Sequence, residues 1–219
     1  MVESPKISIV RSHRRTISVH IEPDGDVIVK APKLMPTFMI NNFISSHQDW
    51  IDKHLARIKK VPVVKRAKDQ YLYLGQMLTL EPSSVTKISV KNDTLFFPQS
   101  LMFRKDKELL NWYLSESKRV ITLQTEKYAL EMKTEFKEIT FSDTKSQWGR
   151  CTQDNRLQFN WRLIMAPAMV LNYVVVHELA HTIEKNHTQM FWMKVRGITP
   201  SYRQQIKWLK DYGATLKIK

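Results

Sequence analysis

Tyr173-Val-Val-Val-His177-Glu178-Leu-Ala-His181 decides the reading of this chain. Two histidines four residues apart lie one turn apart on the same face of a helix, so both imidazoles can reach one Zn²⁺. Glu178 stands beside the first of them, where a carboxylate can act as general base on a metal-held water. With seven His and eleven Glu in 219 residues, an H-E-x-x-H run is expected by chance about 0.01 times. The local signal objects, because Val174–Val176 favours strand. Burial overrides such preferences, and Pro167 offers a helix start upstream.

Two histidines leave zinc short of the three protein ligands typical of catalytic sites. His187 follows His181 by six residues and gives H-E-x-x-H-x₅-H, the ligand spacing of metzincins, with Glu184 where they carry Gly. The chain must then leave the helix and turn back, and Asn186 tolerates the left-handed conformation that helps such a turn. His187 is the expected third ligand; a more distant Glu or His is the alternative.

Upstream, Lys6–Val10, Thr16–Ile21 and Asp26–Lys30 alternate apolar and polar residues around Pro23-Asp24-Gly25-Asp26, a turn signature. Apolar spacing from Pro36 to about Lys59 predicts one helix. Residues 53–68 hold seven Lys or Arg and no acid after Asp52 until Asp69, which reads as a helix end and solvated connector or as a polyanion-binding stretch. Tyr71–Leu80 and Lys87–Phe97 read as strands, the second turning at Asn92-Asp93. A long helix is expected from Arg104 to about Thr134, then strands at Ile139–Phe141 and Leu157–Ile164 around a polar loop. From Pro167 to Gly213 the chain reads as mainly helical. Two regions follow: 1–100, sheet-rich with one helix, and 101–219, carrying the catalytic motif.

Thirty-five Lys and Arg against 21 Asp and Glu leave a net charge of +14, a field that attracts polyanions such as nucleotides and nucleic acid. The single cysteine, Cys151, excludes an internal disulfide and any Cys₄ or Cys₂His₂ zinc site. Beside Trp148-Gly149 it reads as packed and inert. The opening residues lack the apolar run of a secretory signal, and no apolar stretch reaches the ~18 residues of a membrane span. A soluble, cytoplasmic protein is the expectation.

The segment His177–His187 with Thr188 and Phe191-Trp192 resembles the active-site signature of the YgjP-like metallopeptidase family, related to the SprT-like zincins. Ser146-Gln147-Trp148-Gly149-Arg150-Cys151 resembles its S-R-W-G-S-C element, with Gln147 and Arg150 departing from it. Leu157-Gln-Phe159-Asn160-Trp161-Arg162-Leu163 resembles the strand before its active helix, and Pro200-Ser-Tyr202-Arg203 its P-x-Y-R element. The amino-terminal hairpin and Tyr73-Leu74-Gly75 also fit, so the likeness covers nearly the whole chain. It implies an α+β fold: a zincin-like metallopeptidase domain, its HExxH helix packed on a small sheet, preceded by a sheet-rich amino-terminal region.

It also implies a zinc cofactor, a peptide or protein substrate, and substrate pairing along Leu157–Leu163 by β-augmentation. Trp148, Arg162, Tyr202 and Arg203 are the candidates for contacting substrate or a developing oxyanion. A structural salt bridge is the alternative for each arginine, and core packing for Trp161 and Trp192. The leading function is a zinc-dependent metallopeptidase with Glu178 as base. A metal-dependent nucleoside triphosphate pyrophosphohydrolase and a SprT-like protease associated with nucleic acid are the alternatives.

Overall fold

The computed structural model describes residues 7–21, 25–60, 66–144 and 147–218. The Pro23-Asp24 part of the expected turn, Ser146, and residues 61–65 of the basic stretch lie outside them. The described residues form a mixed α/β structure of six α-helices and three small sheets. Contacts divide the chain into two compact units, Met1–Lys65 and Arg66–Lys219.

The first unit holds β1 (Ile7–Ser12), β2 (Ser18–Ile21) and β3 (Val27–Pro32), followed by α1 (Thr37–Ser46) and α2 (Gln48–Lys60). The sheet order is β1-β3-β2, with β1 parallel and β2 antiparallel to the central β3. Every second residue of β3 points inward, so Val27, Val29 and Ala31 join Ile40, Ile51 and Leu55 in a small core. Gly25, at φ 95°, supplies the left-handed turn residue before β3. The single helix expected from Pro36 is two helices. The break falls at His47, whose N–H bonds the Ile44 carbonyl at 3.1 Å and whose imidazole Nδ1 lies 2.8 Å from the Phe43 carbonyl.

The second unit begins with β4 (Gln70–Tyr73), β5 (Gln76–Ser83), β6 (Ser89–Lys91) and β7 (Thr94–Pro98), in the order β4-β5-β7-β6. Tyr71–Leu80 is thus a hairpin and not one strand. Leu74 (φ 48°) and Gly75 (φ 80°) make its two-residue turn, the double positive φ that matches strand twist. The turn is docked: the Leu74 N–H donates to the Ile164 carbonyl at 2.7 Å and that of Gly75 to the Met165 carbonyl at 3.3 Å. A Cβ on Gly75 would fall 2.7 Å from Pro167 Cα, so glycine is required twice over. The turn expected at Asn92-Asp93 is present, with Asn92 at φ 55°.

After a 3₁₀ segment, α3 (Lys105–Met132) runs for 28 residues to a left-handed cap at Lys133. A second sheet follows, made of β8 (Glu138–Ser142), β9 (Gly149–Cys151) and β10 (Arg156–Asn160) in the order β8-β10-β9. A 3₁₀ turn at Trp161–Met165 leads into α4 (Ala168–Ile183), α5 (Gln189–Ile198) and α6 (Tyr202–Tyr212). The helical reading of the last third holds.

One core joins Leu78, Leu95 and Phe97 of the first half to Leu109, Tyr113, Phe159, Val175 and Phe191 of the second. This moves the boundary. The structure parts at Lys65/Arg66 and not near residue 100, because the faces of β5 and β7 are buried in the same core as α3 and α4. Strand order brings a further correction. β10 is central, paired with β8 on one side and β9 on the other, so Leu157–Leu163 offers no free edge, and from Trp161 onward it is 3₁₀ turn. The edges lie at β8 and β9, and β9 is the one that passes Glu178. There the Trp148 carbonyl accepts from Asn160 N–H at 2.8 Å and the Thr152 N–H donates to the Arg156 carbonyl at 2.9 Å. Alternation then turns the main-chain groups of Gly149 and Cys151 away from β10.

Candidate metal centre

α4 is helical against its valine-rich propensity because the interior claims it. Val170, Leu171, Val174, Val175, Val176 and Leu179 are all buried, and burying an aliphatic side chain is worth about 1.5–3 kcal/mol, more than the few tenths lost to β-branching. Pro167 precedes the first turn, where its missing N–H leaves no intrahelical bond unmade. The helix ends at Ile183. Glu184 is extended (φ −135°, ψ 108°), and the Asn186 N–H bonds the Glu184 carboxylate at 3.3 Å. The reversal is therefore made without the left-handed Asn186 that the sequence suggested; no described residue of the turn has positive φ. Thr188 then caps α5 by accepting from the Phe191 N–H at 3.3 Å.

This path returns His187 to the helix. One ligand atom each from His177, His181 and His187 lie within 4.8 Å of one another, and Nε2 of His177 is 3.2 Å from Nε2 of His187. Tetrahedral zinc with Zn–N near 2.05 Å would separate its ligand nitrogens by about 3.3 Å. The Phe191 ring lies 4.4–4.9 Å from the centroids of all three imidazoles, as an apolar floor. In His177 and His181 the other ring nitrogen is engaged. His177 Nδ1 faces the Tyr173 hydroxyl at 3.3 Å, and His181 Nδ1 donates to the Glu184 carbonyl at 3.1 Å. Burial, then the neighbouring His181 and His187, pushes the His177 pKa down to about 3. Burial lowers that of His181 as well. Both rings are neutral near pH 7, as metal ligation requires.

Glu178 is 6% exposed and makes no hydrogen bond among the described residues. Burial alone pushes its pKa up to about 8. It lies over β9: a Cβ on Gly149 would stand 2.5 Å from its Oε1, so the glycine makes the space that the carboxylate fills. Cys151, half-buried on the same strand, has its thiol pKa raised, first by burial, in line with an inert packed cysteine. The Lys185 ammonium donates to the Thr152 carbonyl at 2.8 Å and to Asn155 Oδ1 at 2.6 Å. It ties the loop that carries His187 to the β9–β10 turn.

The remaining candidates fall in different places. Trp148 packs its indole against the chain at Gly213, where a Cβ would come within 2.8 Å of the ring. Arg162 pairs with Asp143, which also accepts from Trp161 Nε1 at 2.9 Å, and its guanidinium lies 4.6 Å from the Trp161 ring centroid. That is the structural alternative for this arginine. Tyr202 stacks on Trp192 at 5.1 Å, and Trp192 in turn stacks on His187 at 5.6 Å. Tyr202 is thus joined to the histidine cluster through one ring. Arg203 is exposed and donates to the Tyr202 hydroxyl at 3.3 Å. Trp161 is buried and Trp192 partly so, both packed in the core. Sequence reasoning missed Tyr173, Gly149 and Lys185. Only Tyr173 carried a usable signal, its i−4 spacing from His177.

Three imidazoles converging beside a buried carboxylate are the equipment of a metal-dependent hydrolase. The YgjP-like metallopeptidase domain matches residues 15–212, and the chain belongs to that family. No curated protein and no solved structure gives a significant match.

Proposed function

We propose that this protein is a zinc-dependent metallopeptidase with a zincin-like site, in which His177, His181 and His187 hold the metal and Glu178 is the general base. The observation that carries the reading is the cluster of three histidine ligand atoms within 4.8 Å of one another, with a buried carboxylate one residue along the chain from the first of them. The donor set fits the ion, since three imidazoles with one open position are a common catalytic zinc environment. Zinc, when bound, supplies Lewis acidity that polarises a carbonyl and acidifies water. Glu178 takes the proton of the attacking water and passes it to the leaving amine. A raised pKa suits a group that must both accept and release a proton near neutrality.

The place of β9 at an edge of its sheet supports an extended peptide substrate. Outward main-chain groups of Gly149 and Cys151 would pair with it by β-augmentation and lay it across Glu178, which packs against Gly149. Tyr202 and Arg203 stand on the Trp192 side of the cluster and are the remaining oxyanion candidates. Arg162 is committed to Asp143. No helix among the described residues is long and apolar enough to cross a membrane.

Metal-loaded protein should be profiled against a peptide library and against nucleoside triphosphates, with Glu178→Gln as control. Peptide cleavage that disappears in the control supports the reading. Pyrophosphate release without peptide cleavage overturns it.

A further inference from the structure

Ligand histidines bind metal through one ring nitrogen only if the other nitrogen carries the proton, and a partner at that second nitrogen decides the tautomer. His181 has a main-chain partner: its Nδ1 lies 3.1 Å from the Glu184 carbonyl, an oxygen that accepts and never donates. His177 has a side chain instead, the Tyr173 hydroxyl 3.3 Å from its Nδ1. Tyr173 is 5% exposed and sits one helical turn before His177 on the same face of α4. The two rings meet edge to face at 5.8 Å, while His177 Nε2 points the other way, to 3.2 Å from His187 Nε2.

We infer that Tyr173 is a positioning residue for the metal centre, its hydroxyl oxygen accepting the Nδ1–H of His177. This holds the imidazole in the tautomer that leaves the Nε2 lone pair facing His187. The inference rests on the metal-site reading and adds to it a fourth residue that touches no metal. A phenol, unlike a carbonyl, can also donate. Were its proton directed to Nδ1, the neutral ring would carry hydrogen on Nε2 and be closed to metal. The arrangement therefore makes a definite claim about which way this hydrogen bond runs.

Tyr173→Phe removes one oxygen and nothing of the ring, so the core contacts stay. Zinc affinity, measured by chelator competition, should fall about 10–100-fold, as for other lost ligand-orienting partners. Tyr113→Phe removes an equally buried hydroxyl, which bonds the Leu72 carbonyl at 2.7 Å, and should leave zinc affinity unchanged. Ring ¹⁵N shifts of the metal-free wild type should show His177 protonated on Nδ1, and Tyr173→Phe should lose that preference. An Nε2–H tautomer in the wild type overturns the inference. So does an affinity of Tyr173→Phe within twofold of the wild type, or an equal loss in Tyr113→Phe. Wild-type protein that binds no zinc at all would instead overturn the metal-site reading beneath it.

Discussion

Two glutamates of the second unit are treated in opposite ways by their surroundings. Glu116 on α3 accepts from the Tyr73 hydroxyl at 2.7 Å and holds the Arg119 guanidinium by two bonds of 2.7 and 3.1 Å. The Arg119 hydrogen bond is the main cause of its lowered pKa. Glu178 on α4 is buried without a hydrogen bond among the described residues, and its pKa rises to about 8. One carboxylate is held ionised by three hydrogen bonds. The other is buried beside three histidines without a hydrogen bond among the described residues, the environment that the proposed role in proton transfer calls for. The difference gives substitutions at the two positions opposite signatures.

The largest effect is expected at Glu178. Glu178→Gln keeps the volume and removes the base, so turnover on the true substrate should fall at least 10²–10⁴-fold, roughly the contribution of general-base catalysis. Zinc content by elemental analysis should stay near one per chain, and denaturation should show no loss of stability, because the amide has the same volume and the buried carboxyl makes no hydrogen bond among the described residues that the substitution would break. Loss of the metal in this variant would make Glu178 a ligand and break the comparison. Next comes Gly149→Ala, whose Cβ would stand 2.5 Å from Glu178 Oε1. Displacing the carboxylate by about 1 Å should lower kcat on the order of 10²-fold, with zinc affinity little changed. An active Gly149→Ala variant would show that the glycine does not place the base.

The comparison sharpens at Glu116. Glu116→Gln should leave kcat untouched and reduce stability by about 1 kcal/mol in urea denaturation, modest because the Arg119 partner is exposed. The smallest effect is one of pH. Burial first, and then the bond to Glu116, raises the Tyr73 pKa from 10.0 to about 12. The unfolded chain ionises this phenol first. Its contribution is therefore complete below pH 10 and is lost as the pH rises through 12. Stability measured from pH 9 to 12 should decline less steeply in Tyr73→Phe than in the wild type; parallel curves would exclude Tyr73 as a cause.

The parts of the structure legible in the sequence are those written over a few adjacent residues. The H-E-x-x-H spacing, Pro167, the Asn92 turn and the period of α3 are all local, and the helices and hairpins they predict are present. What was not legible depends on contact across long separations. Nothing in Trp148-Gly149-Arg150 says that Glu178, 29 positions on, will lie against the glycine, or that β9 will be an edge strand and β10 the central one. The boundary was misplaced for the same reason. Residues 70–98 read as a sheet of their own, and only the burial of Leu78, Leu95 and Phe97 with Leu109 and Tyr113 assigns them to the second unit. The basic stretch at 53–68 stays an expectation, since its centre lies outside the described residues.

The docked turn at Leu74-Gly75 has a consequence for the order in which the chain is made. Synthesis runs from the amino terminus, and units fold as they emerge. The first unit has its whole core by Leu55 and can close early. The second cannot, because the carbonyls of Ile164 and Met165 that receive the turn, and the Pro167 against which Gly75 fits, are translated about ninety residues later. Until then β5 and β7 wait on the ribosome with Leu78, Leu95 and Phe97 lacking their final cover. Any cellular factor that shields nascent apolar strands should act on this interval, and a ribosome stalled before residue 160 would hold a finished first unit and an open second one.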